Sequence, residues 1–430
     1  MAGAAAAAAL GGLGLDVLVV EPGLDSTRRL AGELIHPPGT TDLAELGLLG
    51  ALKAAGGVPV RGFAVFAGGD GHVLPYAAAP GQRAEGFAME HATIAETIRG
   101  AIATLPRVTV WDGARVIGLD HAGGAAVRAV VATAGHEQEV HARLLVGADG
   151  GGSTIRRLAG IGYTRRRIST MIGYTLHGVR LPHPGFGTVF LDGPAPALAY
   201  AVAPDVVRLM FDVPGHADGV ETAVRGPGYL MALPTSVRDE WRRVMTAQRG
   251  LTSASYSIVP ETVVRGRVAL VGDAAGCCHP LTATGLSACT RDAVRLRNAL
   301  RTRPDDIAAA LRRYAISREG PQRTRLALAE ALYALFVAST PETRLLRHGL
   351  LRYWKSSARA RAASMALLST QENRISAMAR EYALVVSYAL PGLGRPRAPD
   401  RRPVTQARAA MQVSMAALRY AGAALWGLRA

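Results

Sequence analysis

The segment from Arg267 to Leu300, RVALVGDAAGCCHPLTATGLSACTRDAVRLRNAL, permits few folds. Val268 and Leu270 read as a short apolar strand, Gly272-Asp273 stops it, a loop with proline and glycine follows, and a helix begins near Thr284. A strand ending in Gly-Asp sets one carboxylate at the carboxyl edge of a sheet, where α/β proteins bind nucleotides. The helix that starts near Gly285 turns its positive end toward the same place, which suits a ligand that carries or develops negative charge. Alone, the pattern is equally that of an ordinary strand–turn–helix. Two further segments decide between the readings.

The first is the N-terminus, where MAGAAAAAA leads into LGGLGLDVLVVEPG. The run 16–21 reads as a buried parallel strand ending in an acid, and the alanines before it as a helix packed closely on a sheet. Gly3 then stands as the third glycine of a G-x-G-x-x-G turn, with Glu21 as the acid that meets a ribose. The first two glycines and their strand do not appear, so the expectation is that about ten or more residues belong upstream of Met1. A secretory signal is not read here, because no basic region precedes the apolar run. The second segment, LLVGADGGGSTIRR, is another strand followed by Asp149-Gly150, Ser153 and Arg156. A carboxylate, flexible backbone and a cation around one turn suit a pyrophosphate, and Arg156 is read as a phosphate partner or a surface charge.

In this order and at these separations, the three segments resemble the flavoprotein hydroxylases that bind FAD. Within that superfamily the chain looks like squalene monooxygenase. The similarity rests on RLAGELIHPPG (29–39), on Gly272-Asp273-Ala274 with His279-Pro280-Leu281-Thr282, and on ALYALF (331–336) and LLRHGLLRYWKSSARARAASMALLS (345–369). The resemblance implies that Arg29, Arg99, Asp273 and Leu286 contact FAD, with Ala114 or Arg115 at a further contact. Two departures stand out. The glycine-rich run of the family is here Ala283-Thr284-Gly285, and Gly62-Phe63 stands where the family has Gly-Tyr, so Phe63 is expected as a flavin-side wall without a hydroxyl. Squalene itself as the substrate is therefore left open.

The fold expected is α/β: an FAD-binding Rossmann-like, three-layer ββα domain (1–62, 91–160 and 264–302), a β-sheet substrate domain (63–90 and 161–263), and a helical C-terminal region (303–430). Short strands are expected at 171–180, 187–191, 199–203 and 206–213. Helices are expected at 305–314, 323–336, 344–355 and 371–390. The region 391–403 reads as a basic linker, and no internal repeat appears.

Charge adds one constraint. From Arg301 onward the chain carries 22 Lys/Arg against 8 Asp/Glu, so most of the net charge of +16 lies there. No nucleic-acid motif accompanies it. Basic residues flanking apolar helical stripes, as in 409–428, suit a membrane surface better than a span. Cys277, Cys278 and Cys289 show no metal spacing, and no metal is expected; adjacent thiols without a disulfide suit a reducing cytoplasm.

The resemblance implies epoxidation of a lipophilic polyene or isoprenoid by O2 through a C4a-hydroperoxyflavin. NADPH would be the ultimate donor, directly or through a reductase partner. A flavin-dependent hydroxylase, an isoprenoid double-bond reductase and an inactive flavoprotein remnant are the alternatives. No W-x-W-x-I-P motif supports a halogenase. His279 either touches the cofactor as a catalytic residue or steadies its turn. Glu33 either holds water beside the flavin or caps a helix, and Tyr76 lines the cavity or packs on the sheet.

Overall fold

The structure is a computed structural model, described here for residues 1–23, 30–78, 84–120, 126–215 and 219–390. It opens with helix α1 (Ala2–Gly11), for which a run of alanines is the best of helix formers. Strand β1 (Val17–Glu21) follows and pairs in parallel with β7 (Val108–Asp112). Between them lie β2 (Leu34–Ile35), β3 (Val58–Val60) and β6 (Gly86–Ala88), a small sheet. Helices α2 (Pro37–Glu45), α3 (Leu49–Ala54) and α4 (His91–Ala103) supply Leu43, Leu52, Ile94 and Ile98 to the core around it.

A second parallel pair joins β11 (Leu145–Gly147) to β18 (Val268–Leu270), which also carries β17 (Val264–Arg265). Among the described residues these pieces are separate sheets, and α1 packs on both β1 and β11. Every residue of β1 is only half-buried, although strands of a parallel layer are normally covered on both faces. The reason is that β1 and β11 border one cavity. The antiparallel sheet β8 (Arg115–Asp120), β9 (Val127–Thr133) and β10 (His136–Ala142) abuts β1, and the short helix α5 (Thr154–Leu158) touches β8.

The largest sheet has the order β16-β12-β15-β14-β13-β4-β5. Its members are β4 (Gly62–Ala67), β5 (Asp70–Pro75), β12 (Tyr163–His177), β13 (Gly187–Phe190), β14 (Ala197–Ala203), β15 (Val206–Pro214) and β16 (Leu251–Pro260). Alternation of side chains sorts its faces. Ile172, Tyr174, Leu209 and Phe211 point to a core built with α6 (Val220–Arg225), α7 (Pro227–Met231) and α8 (Thr235–Ala247), centred on Trp241. Met171, Leu198, Tyr200 and Met210 point to the other core, which the C-terminal helices close.

Those helices are α9 (Gly285–Thr302), α10 (Ile307–Val337), α11 (Pro341–Ser356), α12 (Ala358–Leu368) and α13 (Ile375–Ala389). Three differ from the sequence reading, α12 because no helix is expected between 355 and 371. Residues 305–314 and 323–336 form one helix that runs through Pro321. A proline inside a helix removes one hydrogen bond and clashes with the preceding turn. Burial on both sides outweighs this: Tyr314 and Arg318 are covered before it, and Thr324, Arg325 and Leu326 after it. The helix expected from 371 begins only at Ile375, because Glu372 accepts hydrogen bonds from the backbone and guanidinium of Arg374 and holds the preceding turn. The class is α/β with a helical C-terminal region, as the sequence suggests.

Candidate active site: a cavity between two helix ends and a sheet

A cavity of about 2020 Å³ lies between the parallel strands, the N-termini of α1 and α9, and the large sheet. The backbone that shapes it depends on Gly272. Its φ is +60°, and a Cβ there would meet Ala2 Cβ at 2.8 Å and Cys289 Sγ at 2.9 Å. Only glycine lets α1, α9 and the end of β18 converge this closely. The Gly272 N–H donates to Asp292 Oδ2 (3.0 Å), and Asp292 is held by the buried Arg318. Asp273 is thereby left exposed in the cavity wall.

The residues singled out in the sequence fall around this space in most cases. Gly3 in the first turn of α1, Glu21 at the end of β1, Arg99 of α4 and Arg115 of β8 all line it. Glu21 accepts a hydrogen bond from Gly23 N (3.3 Å), and its backbone carbonyl accepts one from Ala114 N (3.1 Å). Arg99 is paired with Asp112. Gly285 and Leu286 open α9 at the cavity, and a Cβ built at Gly285 would meet nothing within 4 Å. Phe63, 3% exposed, forms part of the wall. Arg29 lies outside the described residues.

Asp149 and Gly150 line the cavity too, but the Asp149 carboxylate is largely committed to its own turn. It accepts from Ser153 Oγ (2.5 Å) and Ile155 N (3.0 Å), so it helps to cap α5. Arg156 is neither a surface charge nor a phosphate partner. It is 1% exposed and spends its guanidinium on Ala274 O (2.9 Å) and Gly151 O (2.7 Å), which braces the two loops against each other. Tyr76 packs away from the cavity and donates to His36 Nδ1 (2.8 Å). Glu33 lines the cavity and also accepts from the backbone N–H of His91, so it caps the first turn of α4, as one of the two readings has it. It forms a buried pair with Arg208 (2.9 Å) and accepts from Tyr200 OH (3.1 Å). Burial pushes the Glu33 carboxyl above its ordinary range, against the pull of Arg208.

Two buried histidines hold the loop 276–284 that faces the cavity. His36 Nε2 donates to Thr282 O (2.8 Å), so Nδ1 is the acceptor for Tyr76. Complete burial lowers its pKa to about 4, and the ring stays neutral. His279 is 2% exposed, and its Nε2 lies 2.8 Å from Ser169 Oγ and 3.1 Å from Asp212 Oδ1. Asp212 and Ser169 escaped the sequence reading, as did Arg208. The available signal was two charges, Arg208 and Asp212, inside an otherwise apolar strand.

The donor set fits a flavin dinucleotide. Two helix ends suit anionic groups, Glu21 ends the first parallel strand, and a second acid stands at Gly-Asp. Phe63, Met171, Leu198 and Met210 give the wall an apolar stretch, with Glu33 and Tyr200 beside it. A sequence profile described as squalene epoxidase matches residues 141–398.

The chain belongs to the squalene epoxidase family.

It is accordingly an FAD-dependent monooxygenase. Among its relatives, a mitochondrial squalene epoxidase of Arabidopsis thaliana is 28% identical over 405 residues, covering 91% of this chain and 68% of the relative. A squalene epoxidase of Aspergillus fumigatus is 29% identical, covering 82% and 77%. A squalene monooxygenase of Mus musculus is 26% identical, covering 90% and 69%. Among solved structures, an anhydrotetracycline hydroxylase from Streptomyces rimosus superposes with a TM-score of 0.68 at 22% identity, over 86% of this chain and 74% of that one. A flavin-dependent brominase does so with a TM-score of 0.68 at 18% identity, over 90% and 95%. These two show a shared fold.

Proposed function

We propose that this enzyme epoxidises an alkene of a lipophilic polyene or isoprenoid, using O2 and electrons from NADPH delivered directly or through a reductase. The observation that carries the reading is the apolar stretch of the cavity wall, placed against the loop 276–284 and the N-terminus of α9. In this reading Gly3 and Gly150 border the pyrophosphate of FAD, and Glu21 meets a ribose. Arg99 and Arg115 lie along the dinucleotide, with Arg29 as a further contact. Asp273 accepts from a ribityl hydroxyl, and Gly285 and Leu286 present the positive helix end to the flavin. When bound, FAD supplies the redox chemistry that activates O2. The protein's share is orientation and exclusion of water.

Phe63 serves as an apolar wall. It offers no proton, and its ring is fixed by packing on Gly187, where a Cβ would come within 2.6 Å of it. Phe63→Ala opens that wall to water. The expected result is more hydrogen peroxide released per NADPH consumed, with less oxygenated product. Unchanged coupling in the variant would remove Phe63 from the flavin side of the cavity.

The C-terminal region completes the reading. No helix of the described residues is long and apolar enough to cross a membrane. Attachment to an anionic membrane surface on the cytoplasmic side is proposed instead, through the basic region beyond Arg301 and the segment 404–430, which lies outside the described residues.

A further inference from the structure

We propose that His279 is a positioning residue: it pins the flavin-facing loop to one carboxylate, Asp212, shared by the substrate sheet and helix α10. The proposal rests on the FAD reading of the cavity, but its geometry stands without the cofactor.

The proton on His279 is fixed by its neighbours. Leu281 N–H donates to Nδ1 (3.1 Å), so Nδ1 carries a lone pair and the proton of the neutral ring sits on Nε2. That N–H faces Ser169 Oγ and Asp212 Oδ1. The Ser169 hydroxyl donates to Asp212 Oδ1 (2.5 Å), and the Tyr333 hydroxyl donates to Oδ2 (2.9 Å). The Tyr333 and His279 rings lie 4.3 Å apart. Three donors thus converge on one fully buried carboxylate. They come from β12, from α10 and from the loop before α9.

The same geometry excludes two other roles. Ser169, His279 and Asp212 are the residue types of a nucleophilic triad, but here the serine proton goes to the carboxylate. In a triad it would go to a free imidazole nitrogen. Both ring nitrogens of His279 are also engaged inside the protein, so neither faces the cavity as a general base. What remains is position. Asp212 lies two residues beyond Met210 on the same face of β15, and Met210 belongs to the apolar stretch of the cavity wall. At the other end of the loop His36 holds Thr282 O. Directly after the second anchor, Ala283 takes a left-handed conformation, with φ at 51°, which an alanine adopts only when its surroundings impose it.

The test uses the full chain without added cofactor. Amide hydrogen exchange is followed in 276–285 and, as an internal reference, in β14. His279→Ala should speed exchange in 276–285 roughly ten- to a hundredfold, the range for losing one hydrogen bond to a charged group, with β14 unchanged. Asp212→Asn should speed exchange at least as much, because it also disturbs the Ser169 and Tyr333 bonds, and the double variant should be no worse than Asp212→Asn alone, because the His279 link is already cut. If His279→Ala unfolds the chain, Ser169→Ala and Tyr333→Phe each remove one donor. Each should give a smaller increase in the same segment. In flavin-loaded protein, His279→Ala should shift the visible flavin spectrum and raise peroxide release per NADPH consumed. Wild-type exchange in 276–285 after His279→Ala, or fully additive effects of the two variants, would overturn the proposal. If the wild-type chain binds no flavin while His279→Ala still loosens the loop, the FAD reading fails and the pin stands.

Discussion

His36 shows what burial does to a single residue. Its pKa falls to about 4 because no water reaches the ring, and this burial outweighs the opposing pull of the Thr282 carbonyl that accepts from Nε2. The unfolded chain takes up this proton as pH drops through about 6.5, and the native state declines it until about 4. The stability His36 contributes is therefore complete above about pH 6.5 and is lost as pH falls toward 4, by up to about 3 kcal/mol. In urea melts over that window, wild type should lose more stability than His36→Gln by that order. Parallel pH profiles would contradict the assignment. The residues legible in the sequence were those whose neighbours in the chain define them, such as Gly3, Glu21, Asp273 and Gly285, which sit at strand ends and helix starts around the cavity. Ser169, Asp212 and His279 were not legible as a group, because 43 residues separate the first two and 110 separate Ser169 from His279. Pairing of β12 with β15 brings the first two together, and the bridge between Cys277 and Ile258 of β16 carries the His279 loop to them.

At the scale of elements, the alanine run is the clearest case of composition dictating packing. Ala5, Ala6 and Ala9 of α1 meet Ala293 of α9 with almost no exposure, so the two helices approach closely. That approach brings both positive ends to the same cavity. Ala6→Leu adds methylenes to a closed contact and should destabilise the chain by about 1–3 kcal/mol. It should weaken FAD binding as well, since the helix ends move apart. Thermal melts and flavin titration check this, and an unchanged melting temperature would mean the contact is looser than described. Element types were readable from period and punctuation. The continuity of α10 was not, because Pro321 is tolerated for reasons of burial contributed by residues far away in the chain. The half-buried state of β1 was equally hidden: a run of valines reads as a covered strand, and only the cavity beside it shows otherwise.

Over the whole molecule, the parallel strands and helix ends offer a dinucleotide-shaped frame, and the large sheet with its C-terminal helices offers an apolar chamber beside it. The basic region beyond Arg301 is proposed to have a separate role at an anionic surface. Removing 404–430 should lower co-sedimentation with anionic liposomes, most at low salt, while flavin binding is kept. Equal sedimentation of the truncated and intact chains would assign the tail to packing instead. The central claim is that one oxygen atom from O2 enters a lipophilic alkene in the chamber. Its most direct test is mass spectrometry of product formed from a polyene by the purified flavoprotein with NADPH under 18O2. The expected product is an epoxide carrying one 18O atom, and polyene consumed with no 18O in any product would contradict the account.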